Sequence, residues 1–252
     1  MNATLLITGG SRGIGAATAL LAAAQGWDIA INYTRDEAAA ETVAAAVRQL
    51  GRQALTLRAD VADEVQVMAM FTSLDRHVQT GSAPLRGLVN NAGVVDLAAR
   101  VDEMSGTRIQ RMFAVNVFGS MWCAREAVRR MSTKHGGPGG AIVNLSSAAA
   151  RLGSPGQYVD YAAAKGAIDS FTLGLAREVA AEGVRVNAVR PGLIETDIHA
   201  SGGQPDRARL LAPQVPMQRT GSADEVAQAI VWLLSPAASY VTGTTLDVTG
   251  GR

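Results

Sequence analysis

The sequence predicts an α/β fold in which a doubly wound, seven-stranded parallel sheet carries helices on both faces. Short β-like runs alternate with longer helical runs along the chain, which is the pattern of parallel strands joined by crossover helices. Several β-like runs are continuously apolar, as expected for strands buried on both faces. No linker or internal repeat divides the 252 residues. We therefore predict a single domain over 1–252.

Seven short runs are predicted strands because they are apolar and bounded by polar or glycine-containing segments. In chain order they are TLLIT (4–8), DIAINY (28–33), QALTLRAD (53–60), LRGLVNNA (85–92), AIVNLSS (141–147), RVNAVRP (185–191) and TTLDVTG (244–250).

Two of the intervening helices have clear end signals. DEAAAETVAAAVRQLG (36–51) begins with acidic residues, which suit the positive end of a helix dipole, and closes on Gly51. SADEVAQAIVWLLSP (222–236) offers a capping box from Ser222 to Glu225 and stops before a proline. These signals predict helices between consecutive strands of the sheet.

Composition and charge exclude several classes of protein. The formal net charge is +1 without a long basic run, so neither nucleic acid nor a membrane is an expected partner. The single Cys123 cannot form an intramolecular disulfide and is predicted to be a small core residue. The three histidines are far apart, so we predict no metal site. Without a signal peptide or a membrane-spanning apolar run, a cytoplasmic location is expected.

A glycine-rich turn follows the first predicted strand in LLITGGSRGIGAATA (5–19). Its G-x-S-x-G around Ser11 could place a hydrolase nucleophile, but no earlier loop is available for a second oxyanion donor. Gly9, Gly13 and Gly15 form the pattern G-x-x-x-G-x-G, which could cradle a dinucleotide. A strand that leads through glycines into a helix N-terminus is typical of phosphate binding. The turn favours a dinucleotide site, with a serine hydrolase as the alternative.

A second candidate site lies in SSAAARLGSPGQYVDYAAAKGAIDSF (146–171). Tyr161 and Lys165 are four residues apart in a helical segment, so they share one face. A tyrosine has an ordinary pKa near ~10, and a neighbouring ammonium lowers it by favouring the phenolate. Tyr158 is a competing tyrosine two turns before Lys165, but the shorter spacing favours Tyr161. Serines at the end of the preceding strand could face the same pocket.

These features occur together with further motifs in an order typical of one family. The segments are TGGSRGIG (8–15), NNAG (90–93), Asn116, Ser147 with Tyr161 and Lys165, PG (191–192) and YVTGTTLDVTGG (240–251). In these segments the chain resembles the short-chain dehydrogenase/reductases, and the resemblance extends from Thr4 to Arg252. The resemblance implies a Rossmann-type fold, a nicotinamide dinucleotide cofactor, and hydride transfer between that cofactor and a carbonyl or alcohol.

The resemblance also implies the roles of four catalytic residues. Tyr161 is expected to be the general acid in reduction and the base in oxidation, and Ser147 to hydrogen-bond the reacting oxygen. Lys165 is expected to lower the pKa of the tyrosine and to hold the ribose hydroxyls. Asn116 is expected to bind a water that relays protons. The interval from Ser147 to Tyr161, fourteen residues, is one longer than is common in relatives, which leaves Ser146 as the alternative serine.

The expected cofactor-binding residues lie in the glycine turn and after the later strands. They are Gly9, Ser11, Arg12, Gly13, Ile14, Gly15, Tyr33, Arg35, Asp60, Val61, Asn91, Ala92, Gly93, Tyr161, Lys165, Pro191, Gly192, Ile194 and Thr196.

The charge placement near the second strand favours NADP(H) over NAD(H). NAD-preferring relatives carry an acid at the end of that strand, where this chain has Tyr33. Arg35 follows two residues on, and Arg12 lies inside the glycine turn. Two guanidinium groups could hold a 2′-phosphate through charge-assisted hydrogen bonds. Asp36 and Glu37 are expected to serve the N-terminus of the next helix instead.

The substrate pocket is less specific in sequence. Its expected walls are Val94, Val95, Ala148, Gln157, Tyr158 and Leu193, together with a loop or lid at about 193–216. They combine apolar surface with hydrogen-bonding groups and fit 3-oxoacyl thioesters, sugars, cyclic ketones or aromatic alcohols. The chain is similar in general appearance to 3-oxoacyl carrier-protein reductases and glucose dehydrogenases.

Small residues around Tyr161 and Lys165 allow close packing of their helix, either inside the subunit or against a partner. Because members of the family assemble through such helices, the resemblance implies a homotetramer. The alternatives are an NAD(H)-dependent sugar or alcohol dehydrogenase of the same family and a protein that senses dinucleotides without catalysis, since a fold alone does not establish activity.

Overall fold

The computed structural model describes residues 3–81, 83–196, 202–204 and 206–252, and over these residues seven strands lie parallel in one sheet. The strands are β1 (Thr4–Ile7), β2 (Asp28–Tyr33), β3 (Ala54–Arg58), β4 (Leu85–Asn90), β5 (Gly140–Leu145), β6 (Val184–Pro191) and β7 (Thr245–Val248). Their order is β3-β2-β1-β4-β5-β6-β7. The predicted doubly wound fold is confirmed.

Helices connect the strands on both sides of the sheet. They are α1 (Gly13–Ala24), α2 (Glu37–Gln49), α3 (Glu64–Gln79), α4 (Gly106–Phe113), α5 (Gly119–Met131), α6 (Ala149–Leu152), α7 (Val159–Val179), α8 (Arg207–Leu211) and α9 (Ala223–Leu234). A π-helical turn at Ala114–Phe118 joins α4 to α5.

Polar side chains cap the N-termini of two helices at the positions that the sequence predicts. The Asp36 carboxylate accepts a hydrogen bond from the Ala39 N–H at the start of α2. At α9, Ser222 and Glu225 form the predicted capping box. Both contacts satisfy backbone N–H groups that have no partner inside the helix. The predicted role of Asp36 as a helix cap is confirmed.

Strand β1 contributes side chains to two hydrophobic cores because its successive side chains point to opposite faces. Leu5 and Ile7 of β1 pack in the core beneath α1, α2 and α9, whereas Leu6 packs in the core beneath α3 and α5. Cys123 of α5 is fully buried in the second core, where burial raises the pKa of its thiol to about 12. It is a core residue, as predicted.

The topology places a crevice at the carboxyl edge of the sheet. From β1 the chain winds outward through β2 to β3, then crosses back to β4 on the other side of β1. The loops that leave β1 and β4 therefore diverge, and ligands bind in such sheets at this switch point.

Two predicted features differ in detail from the structure. Five strands, β1, β3, β4, β5 and β7, end before their predicted runs do. Thr8 and Ser146 therefore lie in the loops after β1 and β5. The predicted lid contains the short helix α8 and a 3-10 turn at Ala212–Gln214. Residues 197–201, which include His199, and Pro205 lie outside the described residues.

Candidate active site

A cleft of about 980 Å³ occupies the crevice. Almost every residue predicted to bind cofactor or substrate lines it: Gly9, Ser11, Arg12, Gly13, Ile14, Tyr33, Arg35, Asp60, Val61, Asn91, Ala92, Gly93, Val94, Val95, Ser147, Ala148, Gln157, Tyr158, Tyr161, Lys165, Pro191, Gly192, Leu193, Ile194 and Thr196. Gly15 and Asn116 are buried behind this lining.

The glycine turn has a backbone conformation that its sequence makes accessible. Gly9 and Gly13 have φ values of +60° and +53°, in the left-handed region that glycine adopts without a Cβ penalty. The Asn32 side chain accepts a hydrogen bond from the Gly9 N–H at 3.2 Å. The Asn91 amide donates to the carbonyls of Thr8 and Gly9, each at 2.9 Å. Residues from β2 and from the end of β4 therefore fix the turn.

Gly15 contributes through packing and does not line the cleft. A Cβ at this position would lie 2.5 Å from the Gly9 carbonyl oxygen and 2.7 Å from Asn91 Nδ2. The close approach of α1 to the turn aims the first N–H groups of the helix, which lack partners inside it, towards the cleft. Such a helix N-terminus suits a phosphate. The pyrophosphate of a dinucleotide fits this cradle.

Tyr161 and Ser147 come together on the opposite wall of the cleft. Tyr161 lies in the first turns of α7, and Ser147 lies in the loop after β5. Burial raises the pKa of Tyr161 to about 12, and a side-chain hydrogen bond with Ser147 opposes the rise. The two hydroxyl groups can thus contact one reacting oxygen.

Lys165 lies one helical turn beyond Tyr161 and is almost fully buried. Its ammonium donates a hydrogen bond to the Leu145 carbonyl at 2.7 Å and lies 5.6 Å from the centre of the Tyr161 ring. Burial lowers the pKa of Lys165 to about 8, and the nearby Asp169 carboxylate acts in the opposite direction.

The pKa of Tyr161 is raised, although the resemblance implies that Lys165 lowers it. Burial of the phenol dominates and raises the Tyr161 pKa instead, because a phenolate loses more hydration than a phenol on leaving water. The Lys165 ammonium is committed to a backbone carbonyl of β5. The spacing on the helix predicts that Tyr161 and Lys165 lie close together. It does not predict whether burial or charge has the larger effect on the Tyr161 pKa.

The two candidate serines have different environments. The Ser146 hydroxyl is buried and donates to the Lys165 main-chain carbonyl at 3.2 Å. The Ser147 hydroxyl accepts from the Ala149 N–H at 3.1 Å and interacts with Tyr161. Ser146 therefore supports α7, whereas Ser147 has the geometry of a substrate contact.

Asn116 lies in the π-helical turn, a feature often found at functional sites. Its amide oxygen accepts from the Val94 N–H at 3.2 Å, and its amide nitrogen donates to the Val94 carbonyl at 3.0 Å. A Cβ on Gly93 would lie 2.9 Å from Asn116 Oδ1 and 3.7 Å from Lys165 Nζ. Asn116 thus fixes the cleft wall next to Lys165. Its role in a proton relay stays a prediction.

The end of β2 forms the other extremity of the cleft. Tyr33 is buried there, whereas Arg35 and Arg12 are exposed. Neither arginine forms an ion pair with any residue that the structure describes. Both guanidinium groups are therefore available to an anion.

The hydrolase alternative for Ser11 gains no support from the geometry. His77 lies near the end of α3 and His135 in a 3-10 turn before β5, and neither lines the cleft. Within the described part of the chain, Ser11 has no histidine that could act as its base.

Sequence reasoning missed several residues that shape the site. Asn32 holds the glycine turn, and Thr8 accepts hydrogen bonds from the N–H groups of Asn91 and Ala92, each at 3.0 Å. Arg207, which lines the cleft from α8, contacts Gln157. Two of these residues are visible in the sequence: Asn32 is a polar residue inside the apolar run DIAINY, and Thr8 begins the TGGSRGIG motif.

Comparison with known proteins agrees with this architecture. A family model described as enoyl-(acyl carrier protein) reductase matches residues 9–252. The chain is 56% identical over 250 residues, 99% of its length and 100% of the relative's, to the uncharacterized oxidoreductase YgfF of Escherichia coli K12. It is 34% identical to the 3-oxoacyl-[acyl-carrier-protein] reductase FabG of Staphylococcus aureus Mu50, covering 100% of this chain and 98% of the relative.

Among solved structures, a short-chain dehydrogenase from Burkholderia cenocepacia J2315 in complex with NADP superimposes with a TM-score of 0.88. The two are 34% identical, and the match covers 100% of this chain and 98% of the other. Fold and site together define a dinucleotide-binding oxidoreductase of the α/β class. The chain belongs to the short-chain dehydrogenase/reductase family and is an NAD(P)-dependent dehydrogenase or reductase. Over the described residues, no helix is long and apolar enough to cross a membrane.

Proposed function

We propose that this chain is an NADP(H)-dependent oxidoreductase that interconverts a carbonyl and a secondary alcohol, with Tyr161 as the general acid and base. The observation that carries the proposal is the meeting of Tyr161, Ser147 and Lys165 on one wall of the cleft, opposite the glycine turn. When bound, the dinucleotide supplies or accepts the hydride.

Tyr161 donates a proton to the carbonyl oxygen during reduction and removes it from the alcohol during oxidation. A pKa raised to about 12 keeps its phenol protonated at neutral pH, as the reductive direction requires. The Ser147 hydroxyl donates to the same oxygen and stabilises the charge that develops on it. The buried Lys165 ammonium lies beside the ring, where it favours the phenolate formed after proton transfer.

Availability of two cations supports NADP(H) over NAD(H). Arg12 and Arg35 line the cleft on either side of its β1–β2 extremity, and each is exposed. Asp36, the acidic residue of the cleft lining that follows Arg35 in the chain, already caps α2. A 2′-phosphate would therefore meet two guanidinium groups rather than an uncommitted carboxylate.

The expected substrate walls also line the cleft, from Val94 and Val95 after β4 to Gln157, Tyr158 and Leu193. Segment 193–216 contributes Leu211 and Gln214 to the same lining, which supports its proposed role as a lid over the substrate. The homotetramer and the cytoplasmic location stay predictions from the sequence.

Steady-state assays of the purified chain test the proposed activity. A panel of uncharged aldehydes and cyclic ketones is offered with NADPH and with NADH, and cofactor oxidation is followed by the absorbance of the reduced nicotinamide. We expect turnover of at least part of the panel, with NADPH preferred by about tenfold or more in kcat/KM. Tight NADPH binding without turnover of any carbonyl or alcohol would favour the dinucleotide-sensing alternative.

The two serines give a matched pair of variants. We expect Ser147→Ala to lower kcat for reduction by about 10²-fold or more, as the loss of one oxyanion donor does elsewhere. Ser146→Ala removes a hydrogen bond to the backbone of α7 and is expected to cost about 1 kcal/mol of stability, with kcat within about threefold of the parent. The reverse ranking would assign the substrate contact to Ser146.

A further inference from the structure

Arg207 lies in the part of the cleft next to the proposed acid. It belongs to α8 and reaches across to the residues just before α7. Its Nη1 donates to Gln157 Oε1 at 2.6 Å and to Gln204 Oε1 at 3.0 Å. Its guanidinium carbon lies 5.2 Å from the centre of the Tyr158 ring. These contacts hold the guanidinium beside Gln157 and Tyr158, which precede Tyr161 by four and three residues.

All of these protein partners are neutral. Within the part of the chain that the structure describes, Arg207 forms no ion pair, and no hydrogen bond is made by its Nε or Nη2. By contrast, Arg209, two residues on in the same helix, pairs with Asp206 at 3.3 Å. Two glutamine carbonyls orient the Arg207 fork without neutralising it, and its other donors are left for a ligand.

The described carboxylates of the cleft lie elsewhere. Asp36 and Asp60 are the acidic residues among its described lining. Asp36 caps α2 after β2, and Asp60 accepts from the Ala62 N–H after β3. Both therefore lie on the β2–β3 side of the sheet, away from α7. Arg207 is thus a half-buried, oriented cation in the substrate region, and no carboxylate of the described residues pairs with it.

We propose that Arg207 is a specificity-determining residue that selects substrates carrying an oxyanion, a carboxylate or a phosphate, in addition to the reacting carbonyl. This inference rests on the proposed function, since it concerns the substrate of the same site. A planar guanidinium whose Nε and Nη2 form no hydrogen bond to the described residues can bind either oxyanion through paired hydrogen bonds. The low local polarity of a half-buried cleft strengthens that attraction relative to open water.

The test compares matched charged and uncharged carbonyl compounds. One pair is 4-formylbenzoate and its methyl ester, and the other is dihydroxyacetone phosphate and dihydroxyacetone. We expect the wild-type chain to favour the charged member of at least one pair by about tenfold or more in kcat/KM, and which pair does so distinguishes carboxylate from phosphate. Absence of preference in both pairs overturns the proposal, whatever the variants show.

Three variants locate the effect. Arg207→Gln is expected to raise KM for the favoured anion by about tenfold or more, while kcat/KM for its neutral partner changes by less than about threefold. Arg207→Lys keeps the charge without the fork and is expected to fall between the two. Arg209→Gln, exposed on the same helix, is the matched control and is expected to behave as the wild type. Equal losses on charged and neutral substrates in Arg207→Gln would contradict a selective role.

A binding measurement separates this inference from the proposed activity. Calorimetric titration of the NADP⁺ complex with 4-methylbenzoate and with glycerol 3-phosphate requires no turnover. If no carbonyl is reduced, yet one of these anions binds the wild type and Arg209→Gln about tenfold more tightly than Arg207→Gln, the proposed reaction fails and the anion site stands. If neutral carbonyls are reduced and neither anion binds through Arg207, the reaction stands and the inference fails.

Discussion

Replacing Tyr161 with phenylalanine is expected to lower kcat for carbonyl reduction by about 10²–10⁴-fold, the contribution of a positioned general acid. The substitution removes only the hydroxyl that interacts with Ser147 and keeps the ring beside Lys165. The affinity for NADPH should therefore stay within about threefold of the parent. Stopped-flow measurement of cofactor oxidation, with fluorescence titration of NADPH, separates the loss of chemistry from a loss of binding.

Tyr158→Phe is the matched control, because Tyr158 precedes Tyr161 by one turn and also lines the cleft. It is buried and its ring lies under the Arg207 guanidinium, whereas the Tyr161 ring lies beside Lys165. We expect kcat to fall by less than about tenfold in this variant. Full activity in Tyr161→Phe, or a larger loss in Tyr158→Phe, would refute the assignment of the acid.

Replacing Arg35 with alanine is expected to weaken NADPH binding by about tenfold, equivalent to about 1.4 kcal/mol, with NADH changed by less than about threefold. The same result is expected for Arg12→Ala. In the double variant the losses approach about 100-fold if the two groups act independently on one phosphate. The physical reason is that each exposed guanidinium gains a charge-assisted hydrogen bond only when the 2′-phosphate is present.

Titrations at low and high salt strengthen this test, because screening weakens exposed charge contacts. The NADPH affinity of the wild type should fall with salt more steeply than that of the double variant. Arg48→Ala is the control, since Arg48 lies on α2, pairs with Glu41 and is not part of the cleft lining. If the wild-type chain binds NADH as tightly as NADPH, the proposed NADP(H) preference based on Arg12 and Arg35 is refuted. The proposed role of Tyr161 is not affected by that result.

Local signals in the sequence were sufficient for much of the architecture. The apolar runs predict each strand, and the Ser222 to Glu225 spacing predicts a helix start that the structure reproduces. The four-residue interval between Tyr161 and Lys165 predicts that both face one cleft. These features depend on periodicity and hydrogen bonds within a few residues, which the order of amino acids specifies directly.

Contacts between distant residues were decided only by the tertiary structure. Neighbouring serines differ because the chain leaving β5 turns Ser146 towards the backbone of α7 and Ser147 towards Tyr161. The raised pKa of Tyr161 follows from burial, which no spacing specifies. Arg207 contacts Gln157, fifty residues earlier in the chain, because the tertiary structure brings α8 to the segment just before α7. The sequence by itself determined the fold and the types of residue in the site, whereas packing determined which donors, charges and solvent exposures each residue meets.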